Sequence, residues 1–105
     1  MTAPAVILIV DDERANRRLL QVLLKPKGYV TGTATDGTEA LASIAADPPD
    51  LILLDAMMPG LDGRQVACAV KADPATSNIP IIMVTAQSDK HMRVWRPWMR
   101  GPRSS

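Results

Sequence analysis

Residues 49–63 read Pro-Asp-Leu-Ile-Leu-Leu-Asp-Ala-Met-Met-Pro-Gly-Leu-Asp-Gly, and this stretch decides the fold. Its apolar run, from Leu51 to Leu54, lies between a Pro-Pro pair and a Pro-Gly pair. A run of this kind is typical of a strand covered on both faces, as parallel strands usually are. Asp55 follows directly, at the strand end where open α/β sheets bind their ligands. An aspartate that only caps a turn would fit this stretch equally well.

The rest of the chain alternates predicted strands with predicted helices. Short apolar runs predict two further strands, at residues 5–10 and 80–84, and a shorter, half-polar segment at residues 29–34 predicts a third near the sheet edge. Helical periodicity predicts three helices, at residues 13–24, 38–46 and 63–72. The first helix would bury Leu19, Leu20, Leu23 and Leu24, and the third would bury Val66, Ala69 and Val70. This order predicts an α/β fold with a doubly wound parallel sheet, ordered 2-1-3-4.

Length and composition narrow the class of protein. The 105 residues allow one compact domain, and a hydrophobic content of 47% is ordinary for a soluble globular chain. The first residues do not form a signal peptide, and no apolar run is long enough to span a membrane. We therefore expect a cytoplasmic protein with no membrane partner. The single cysteine, Cys68, lies in a helical pattern and is predicted to be a small buried residue.

Charge is distributed unevenly along the chain. Residues 1–89 contain seven basic and eleven acidic side chains, whereas residues 90–105 contain five basic and no acidic ones. Both tryptophans, Trp95 and Trp98, lie in this last stretch. Cationic and aromatic residues together can bind single-stranded nucleic acid. Five cations without a predicted groove are weak support for that role, and we expect no nucleic-acid partner.

Polar groups follow three of the predicted strands. Asp11 and Asp12 follow the first strand, Asp55 the third and Thr85 the fourth. In a sheet ordered 2-1-3-4 these three strands are neighbours, so their carboxyl ends converge at one place. Three crowded carboxylates repel one another, and a hard divalent cation such as Mg²⁺ relieves that repulsion. The alternative is a set of capping carboxylates on unrelated loops.

The residues together resemble the receiver domain of two-component response regulators. The resemblance covers residues 5 to about 93 and rests on four segments: Ile-Leu-Ile-Val-Asp-Asp-Glu at 7–13, Asp-Gly-Thr-Glu-Ala-Leu at 36–41, the whole stretch at 49–63, and Ile-Pro-Ile-Ile-Met-Val-Thr-Ala at 79–86. The third segment is highly specific. The resemblance implies a flavodoxin-like fold and a phosphorelay function that depends on Mg²⁺ or Mn²⁺.

The resemblance also implies roles for single residues. Asp55 matches the phosphoacceptor, which receives a phosphoryl group from a histidine kinase or a phosphotransfer protein. Asp12, Asp55 and the backbone carbonyl of Met57 match the metal ligands, and Asp11 matches the acid that holds the ion through water. Thr85 matches the hydroxyl residue that acts as a switch. Such a chain accepts a phosphoryl group and is not an enzyme in its own right.

The chain departs from the family after about residue 93. Family members continue with a fourth helix, a fifth strand that ends in Lys-Pro, and a fifth helix. Lys90 comes too early to match that lysine, and the remaining residues contain no apolar run. We therefore expect an incomplete receiver domain over residues 1–90, without the usual fifth strand and fifth helix, and an atypical basic tail over residues 91–105. The missing lysine would impair phosphorylation, with Arg93 or Arg96 as a partial substitute.

The tail has two explanations. A shifted reading frame fits because permissible codons for residues 94–101 encode, in a neighbouring frame, a stretch that resembles the end of the family's fourth helix. A naturally divergent tail is the alternative. The gene sequence around codon 92 distinguishes these explanations. If neither of the other two reading frames encodes a receiver-like sequence there, the frameshift is excluded.

Two functions remain open at this point. The chain is either a phosphorylation-dependent signalling module or a binding or scaffold remnant that no longer switches. An aspartate-based phosphatase needs a second aspartate two residues after the nucleophile, and position 57 is methionine.

The missing fifth strand also predicts self-association. Residues 80–84 would form an exposed, apolar edge strand, and such edges pair with other chains. We expect a dimer held together around this strand and the tail, with Trp95 and Trp98 as anchors on a short helix.

Overall fold

The computed structural model describes residues 4–56, 58, 63–86 and 92–97. Strands and helices alternate as far as the fourth strand, and a fifth strand follows it. The elements are β1 (Val6–Val10), α1 (Arg14–Leu24), β2 (Val30–Ala34), α2 (Gly37–Ala46), β3 (Leu51–Asp55), α3 (Gly63–Ala72), β4 (Ile81–Ala86) and β5 (Met92–Pro97). A 3-10 turn, Lys25–Lys27, extends the end of α1.

The sheet has the order β2-β1-β3-β4-β5, and its first four strands are parallel. This confirms the predicted 2-1-3-4 order and the flavodoxin-like class. The register aligns Ile9 of β1 with Leu53 of β3, and Leu53 with Ile82 of β4. The carboxyl ends of β1, β3 and β4 therefore lie side by side at one edge of the sheet.

The main core lies between the sheet and helices α2 and α3. Leu8, Val10, Ile52, Leu54, Ile81 and Met83 contribute to it from the strands, and Ala40, Ile44, Val66, Ala67 and Val70 from the two helices. The predicted inward face of α3 was partly wrong, because Ala67 is buried and Ala69 is exposed. Cys68 is also exposed rather than buried. Ala67, Cys68 and Ala69 are similarly small and apolar, so their sequence pattern does not decide which of them faces the sheet.

Helix α1 corrects a second prediction. It packs beside β1 and β2, and the Gln21 side-chain amide donates a hydrogen bond to the Thr31 hydroxyl at 3.3 Å. Leu19 and Leu23 are 47% and 53% exposed, although the leucine pattern predicted a buried face. The spacing of leucines shows which residues share a face. How much of that face is covered depends on what packs beside the helix, and α1 contributes nothing to the main core.

The fifth strand corrects a third prediction. We expected no further strand, a short helix in the tail and an exposed edge at β4. Instead, β5 pairs with β4 in the antiparallel direction, with Met92 opposite Ala86, Arg93 opposite Thr85 and Pro97 opposite Ile82. An edge strand is held mainly by backbone hydrogen bonds, so a short segment in which apolar residues are interrupted by two arginines can form it. The usual parallel fifth strand is therefore replaced by an antiparallel one.

This pairing removes the exposed strand edge from which we predicted self-association through β4. The edge of β4 that we expected to recruit a second chain is occupied by residues 92–97 of the same chain. The new edge strand ends in Pro97, and proline lacks the N–H group that a further strand would need. Trp98 lies outside the described residues.

A buried lysine holds the connection between α3 and β4. The Lys71 ammonium donates to the carbonyls of Ser77 at 2.9 Å and Ile79 at 2.7 Å, and only 8% of the residue is exposed. The Thr76 hydroxyl donates to the Val70 carbonyl at 2.7 Å. Burial lowers the pKa of Lys71. These bonds tie the end of α3 to the segment that leads into β4.

Replacing Lys71 with methionine should therefore destabilise the fold. Lys71→Met keeps most of the side-chain length but leaves two carbonyls without their donor, and we expect a loss of about 1–3 kcal/mol in the free energy of unfolding. Urea denaturation measures this loss. Lys27→Met is the matched control, because Lys27 is exposed and its replacement should change stability by less than about 0.5 kcal/mol. Equal effects of the two substitutions would contradict this role for Lys71.

Candidate metal and phosphoryl site

Three carboxylates meet at the carboxyl edge of the sheet. Val10 and Leu54 are register partners in the parallel strands β1 and β3, so Asp11 and Asp55, the next residues, are neighbours. Asp12 joins them from the β1–α1 connection. Each of Asp11, Asp12 and Asp55 offers one carboxylate oxygen, and these oxygens all lie within 4.8 Å of one another. The structure thus brings together the acidic residues that the sequence predicted would converge.

Burial differs among the three carboxylates. Asp11 and Asp55 are 4% and 7% exposed, whereas Asp12 is exposed to solvent. Burial raises the pKa of Asp11, and the negative charge of Asp12 raises it further. Hydrogen bonds with the Glu13 N–H, Asn16 and Asp55 act in the opposite direction without cancelling the shift. The cluster is therefore an electrostatically unfavourable group of acids with one member open to solvent.

Two neighbours of Asp11 were not predicted from the sequence. The Glu13 backbone N–H donates to the Asp11 carboxylate at 2.8 Å, and the Arg17 guanidinium donates to the Asp11 backbone carbonyl at 2.8 Å. Arg17 therefore connects the first turns of α1 to the end of β1. Nothing in the spacing of Asp11 and Arg17 indicated this contact, because it depends on the angle at which α1 leaves the sheet.

The backbone at Asp55 is held from two sides. Asp55 is the register partner of Val84, and the Ala56 N–H donates to the Val84 carbonyl at 3.2 Å. On the other side, Gly63 begins α3 directly against the carbonyl of Asp55. The sequence predicted a helix that opens near Gly63, but it did not predict this close approach.

The structure gives less detail on the other two predicted site residues, Thr85 and Met57. Thr85 lies in β4 one residue beyond the partner of Asp55, opposite Arg93 of β5. Met57, whose carbonyl was predicted to bind the metal, lies outside the described residues. Its neighbour Met58 is buried in the main core.

The donor set fits a hard divalent cation. All three side chains offer oxygen, which is the ligand that Mg²⁺ and Mn²⁺ prefer, and a cation would offset the repulsion among them.

Among the residues that the structure describes, none of the helices combines the length and apolarity that crossing a bilayer requires.

Comparison with known proteins identifies the family. The profile of the response regulator receiver domain family matches residues 7–95. The response regulator PleD of Caulobacter vibrioides is 49% identical over 90 residues, which are 86% of this chain and 20% of PleD. The chain thus spans about a fifth of the length of that relative.

Solved structures agree with this relationship. The N-terminal domain of a response regulator receiver protein from Methanoculleus marisnigri has a TM-score of 0.76 and 42% identity, over 79% of this chain and 68% of that chain. TrrA from Thermotoga maritima, solved in complex with Mg²⁺-BeF, has a TM-score of 0.74 and 39% identity, over 81% of this chain and 72% of that chain. The parallel sheet, the acidic cluster at its carboxyl edge and these matches together show that the chain belongs to the response regulator receiver domain family.

Proposed function

We propose that this chain accepts a phosphoryl group on Asp55 from a histidine kinase or a phosphotransfer protein, with Mg²⁺ or Mn²⁺ bound beside it. The observation that supports this most directly is the meeting of Asp11, Asp12 and Asp55 within 4.8 Å in a receiver domain. The proposal makes the chain a phosphoacceptor in signal transduction rather than an enzyme.

Asp11, Asp12 and Asp55 would hold the cation, with the backbone carbonyl of Met57 as the ligand that the family resemblance adds. When bound, the cation supplies positive charge for the phosphoryl oxygens, on which negative charge is spread during transfer. Asp12 is the exposed member and would meet the ion at the mouth of the site. Asp11 is buried and adds its carboxylate to this set.

Asp55 would act as the nucleophile. One of its carboxylate oxygens forms a bond to phosphorus, and the bond from phosphorus to the donor's histidine nitrogen breaks, with its electron pair returning to that nitrogen. The product is an acyl phosphate on Asp55. Its backbone is held by the β3–β4 pairing, so the carboxylate is positioned before the donor arrives, and positioning supplies much of the rate in phosphoryl transfer.

A non-switching scaffold is the second candidate. It is favoured by β5, because this strand pairs with β4 in the antiparallel direction and contains no lysine. We retain the proposal that residues 1–90 form the receiver unit and that residues 91–105 are an added basic segment. In this arrangement β5 joins that segment to the sheet.

Metal binding should occur without phosphorylation. We expect Mg²⁺ or Mn²⁺ to bind to the unmodified protein, and Asp12→Ala or Asp55→Asn to weaken binding by roughly tenfold or more. Calorimetric titration measures the affinity, and Asp47→Asn is a control that removes an exposed charge outside the site. Because burial raises the pKa of Asp11, protons should compete with the cation and lower its affinity as the pH falls toward that raised pKa. Equal affinities of the wild type and Asp12→Ala would show that the cluster is not the site.

Phosphorylation of Asp55 should be slow. Incubation with acetyl phosphate and Mg²⁺ should add one phosphoryl group, seen by intact mass, to the wild type and to Asp47→Asn but not to Asp55→Asn. The rate should be on the order of a hundredfold below that of a receiver domain that carries the lysine, because β5, the strand that pairs with β4, has no lysine to stabilise the developing charge. Fast modification would argue against the importance of the missing lysine. A complete lack of modification, with metal binding intact, would favour the scaffold.

The register of β5 separates the two arginines that could replace the lysine. Arg93 is paired with Thr85 near the carboxyl end of β4, whereas Arg96 lies toward the opposite end, next to Pro97, which pairs with Ile82. We expect Arg93→Gln to slow the acetyl phosphate reaction by roughly tenfold more than Arg96→Gln does. The two substitutions remove the same charge from the same strand, so equal rates would exclude a specific role for Arg93.

A further inference from the structure

Gly63 lies against the peptide bond that follows the proposed phosphoacceptor. It is buried at the first position of α3. A Cβ atom built on Gly63 would lie 2.5 Å from the Asp55 carbonyl oxygen, 2.8 Å from the Ala56 Cα and 3.2 Å from the Asp55 carbonyl carbon. All three atoms belong to the backbone, so no flexible side chain can turn away to make room. Only glycine fits at this position without a shift of the chain.

The size of the required shift follows from these distances. An ordinary contact begins near 3.4 Å, so the Asp55 carbonyl and residue 63 would have to separate by about 0.9 Å. Either α3 or the Asp55–Ala56 peptide must move to provide this space. The structure restrains the two parts to different degrees.

Helix α3 is restrained along its length. Val66, Ala67 and Val70 are at most 2% exposed in the main core. At the far end of the helix, the Lys71 ammonium and the Thr76 hydroxyl bind the connection to β4. A displacement of the whole helix would disturb all of these contacts.

The Asp55–Ala56 peptide lies at the end of β3, and Ala56 is only partly buried against the main core. Beyond β3 it is held by the Ala56 N–H bond to the Val84 carbonyl, which at 3.2 Å is longer than most of the backbone hydrogen bonds that the described turns, loops and caps make. A side chain at position 63 would therefore be accommodated mainly by movement of this peptide. Such movement would displace the Asp55 carboxylate relative to Asp11 and Asp12.

We infer that Gly63 is a positioning residue for the phosphoacceptor. Because glycine has no side chain, α3 can begin in contact with the Asp55 carbonyl, and this contact determines the position of the Asp55 carboxylate within the acidic cluster. This inference rests on the proposed function for its chemical consequence but not for its geometry. A misplacement near 1 Å can cost on the order of a hundredfold in rate. The role is distinct from a contribution to stability, and the other glycines allow the two to be separated.

Gly63→Ala should disturb the site more than the fold, and two glycine substitutions serve as controls. Gly32→Ala places its Cβ at an ordinary 3.7 Å from Leu8 Cδ1 and should behave as the wild type. Gly28 has φ of +90° and nothing within 4 Å of its built Cβ, so Gly28→Ala should lower stability through backbone strain without reaching the site. We expect Gly63→Ala to lose roughly tenfold in Mg²⁺ affinity and roughly a hundredfold in acetyl phosphate reactivity relative to Gly28→Ala.

Hydrogen exchange at the Ala56 amide gives a readout that does not depend on phosphorylation. It should be faster in Gly63→Ala than in Gly28→Ala, because the bond to the Val84 carbonyl is disturbed only in the former. Equal Ala56 exchange and equal Mg²⁺ affinity in the two variants would overturn the inference. If the wild type takes up neither metal nor phosphoryl group while Ala56 exchange is faster in Gly63→Ala, the proposed function fails and the positioning role of Gly63 stands.

Discussion

The parallel pairing of β1 with β3 is the constraint on which the rest of the structure depends. It aligns Val10 with Leu54, and so it brings the acids that follow these two residues to one point. The register is also secured at the opposite end of the strands, where Asp50 accepts from the Val6 N–H through its carboxylate at 2.7 Å and donates to the Val6 carbonyl through its own N–H at 2.8 Å. A slip of one residue would turn the apolar side chains of a strand to the wrong face. The same hydrophobic pattern that builds the core therefore also assembles the acidic cluster.

Bringing these carboxylates together is electrostatically unfavourable, and the fold tolerates the cost because it is limited to one small cluster. Asp11 and Asp55 are buried beside each other while Asp12 remains in solvent, and the raised pKa of Asp11 reflects that burial. Around them, the backbone N–H of Glu13 donates to the Asp11 carboxylate and the guanidinium of Arg17 donates to the Asp11 carbonyl, so both hold the Asp11 segment in place. A cluster of carboxylate oxygens at the edge of the sheet suits a site that binds a hard divalent cation from solution.

The sheet edge beyond β4 is occupied by β5 of the same chain. Residues Met92–Pro97 pair with β4 in the antiparallel direction, so backbone groups of β4 obtain partners on that side. The consequence reaches the site, since the antiparallel register puts Arg93 opposite Thr85. On the other side of Asp55, Lys71 holds the C-terminal end of α3 through a hydrogen bond to the Ile79 carbonyl. The N-terminal end of α3 contacts the Asp55 carbonyl at Gly63. The proposed phosphoacceptor thus lies between α3, which is packed into the main core, and β4, which is joined to β3 by backbone hydrogen bonds.

The sequence by itself determined the class of fold, the order of the parallel strands and the convergence of the three aspartates. These features follow from local signals, namely apolar runs of strand length, turn residues between them and acids at the strand ends, and the parallel topology leaves few ways to arrange them. Only the tertiary structure decided the pairing of β5, the exposure of Leu19, Leu23 and Cys68, the contact of Arg17 with Asp11 and the close approach of Gly63 to Asp55. Each of these depends on the angle or distance between elements that are separate in the sequence. Periodicity shows which residues share a face, but it does not show what that face meets.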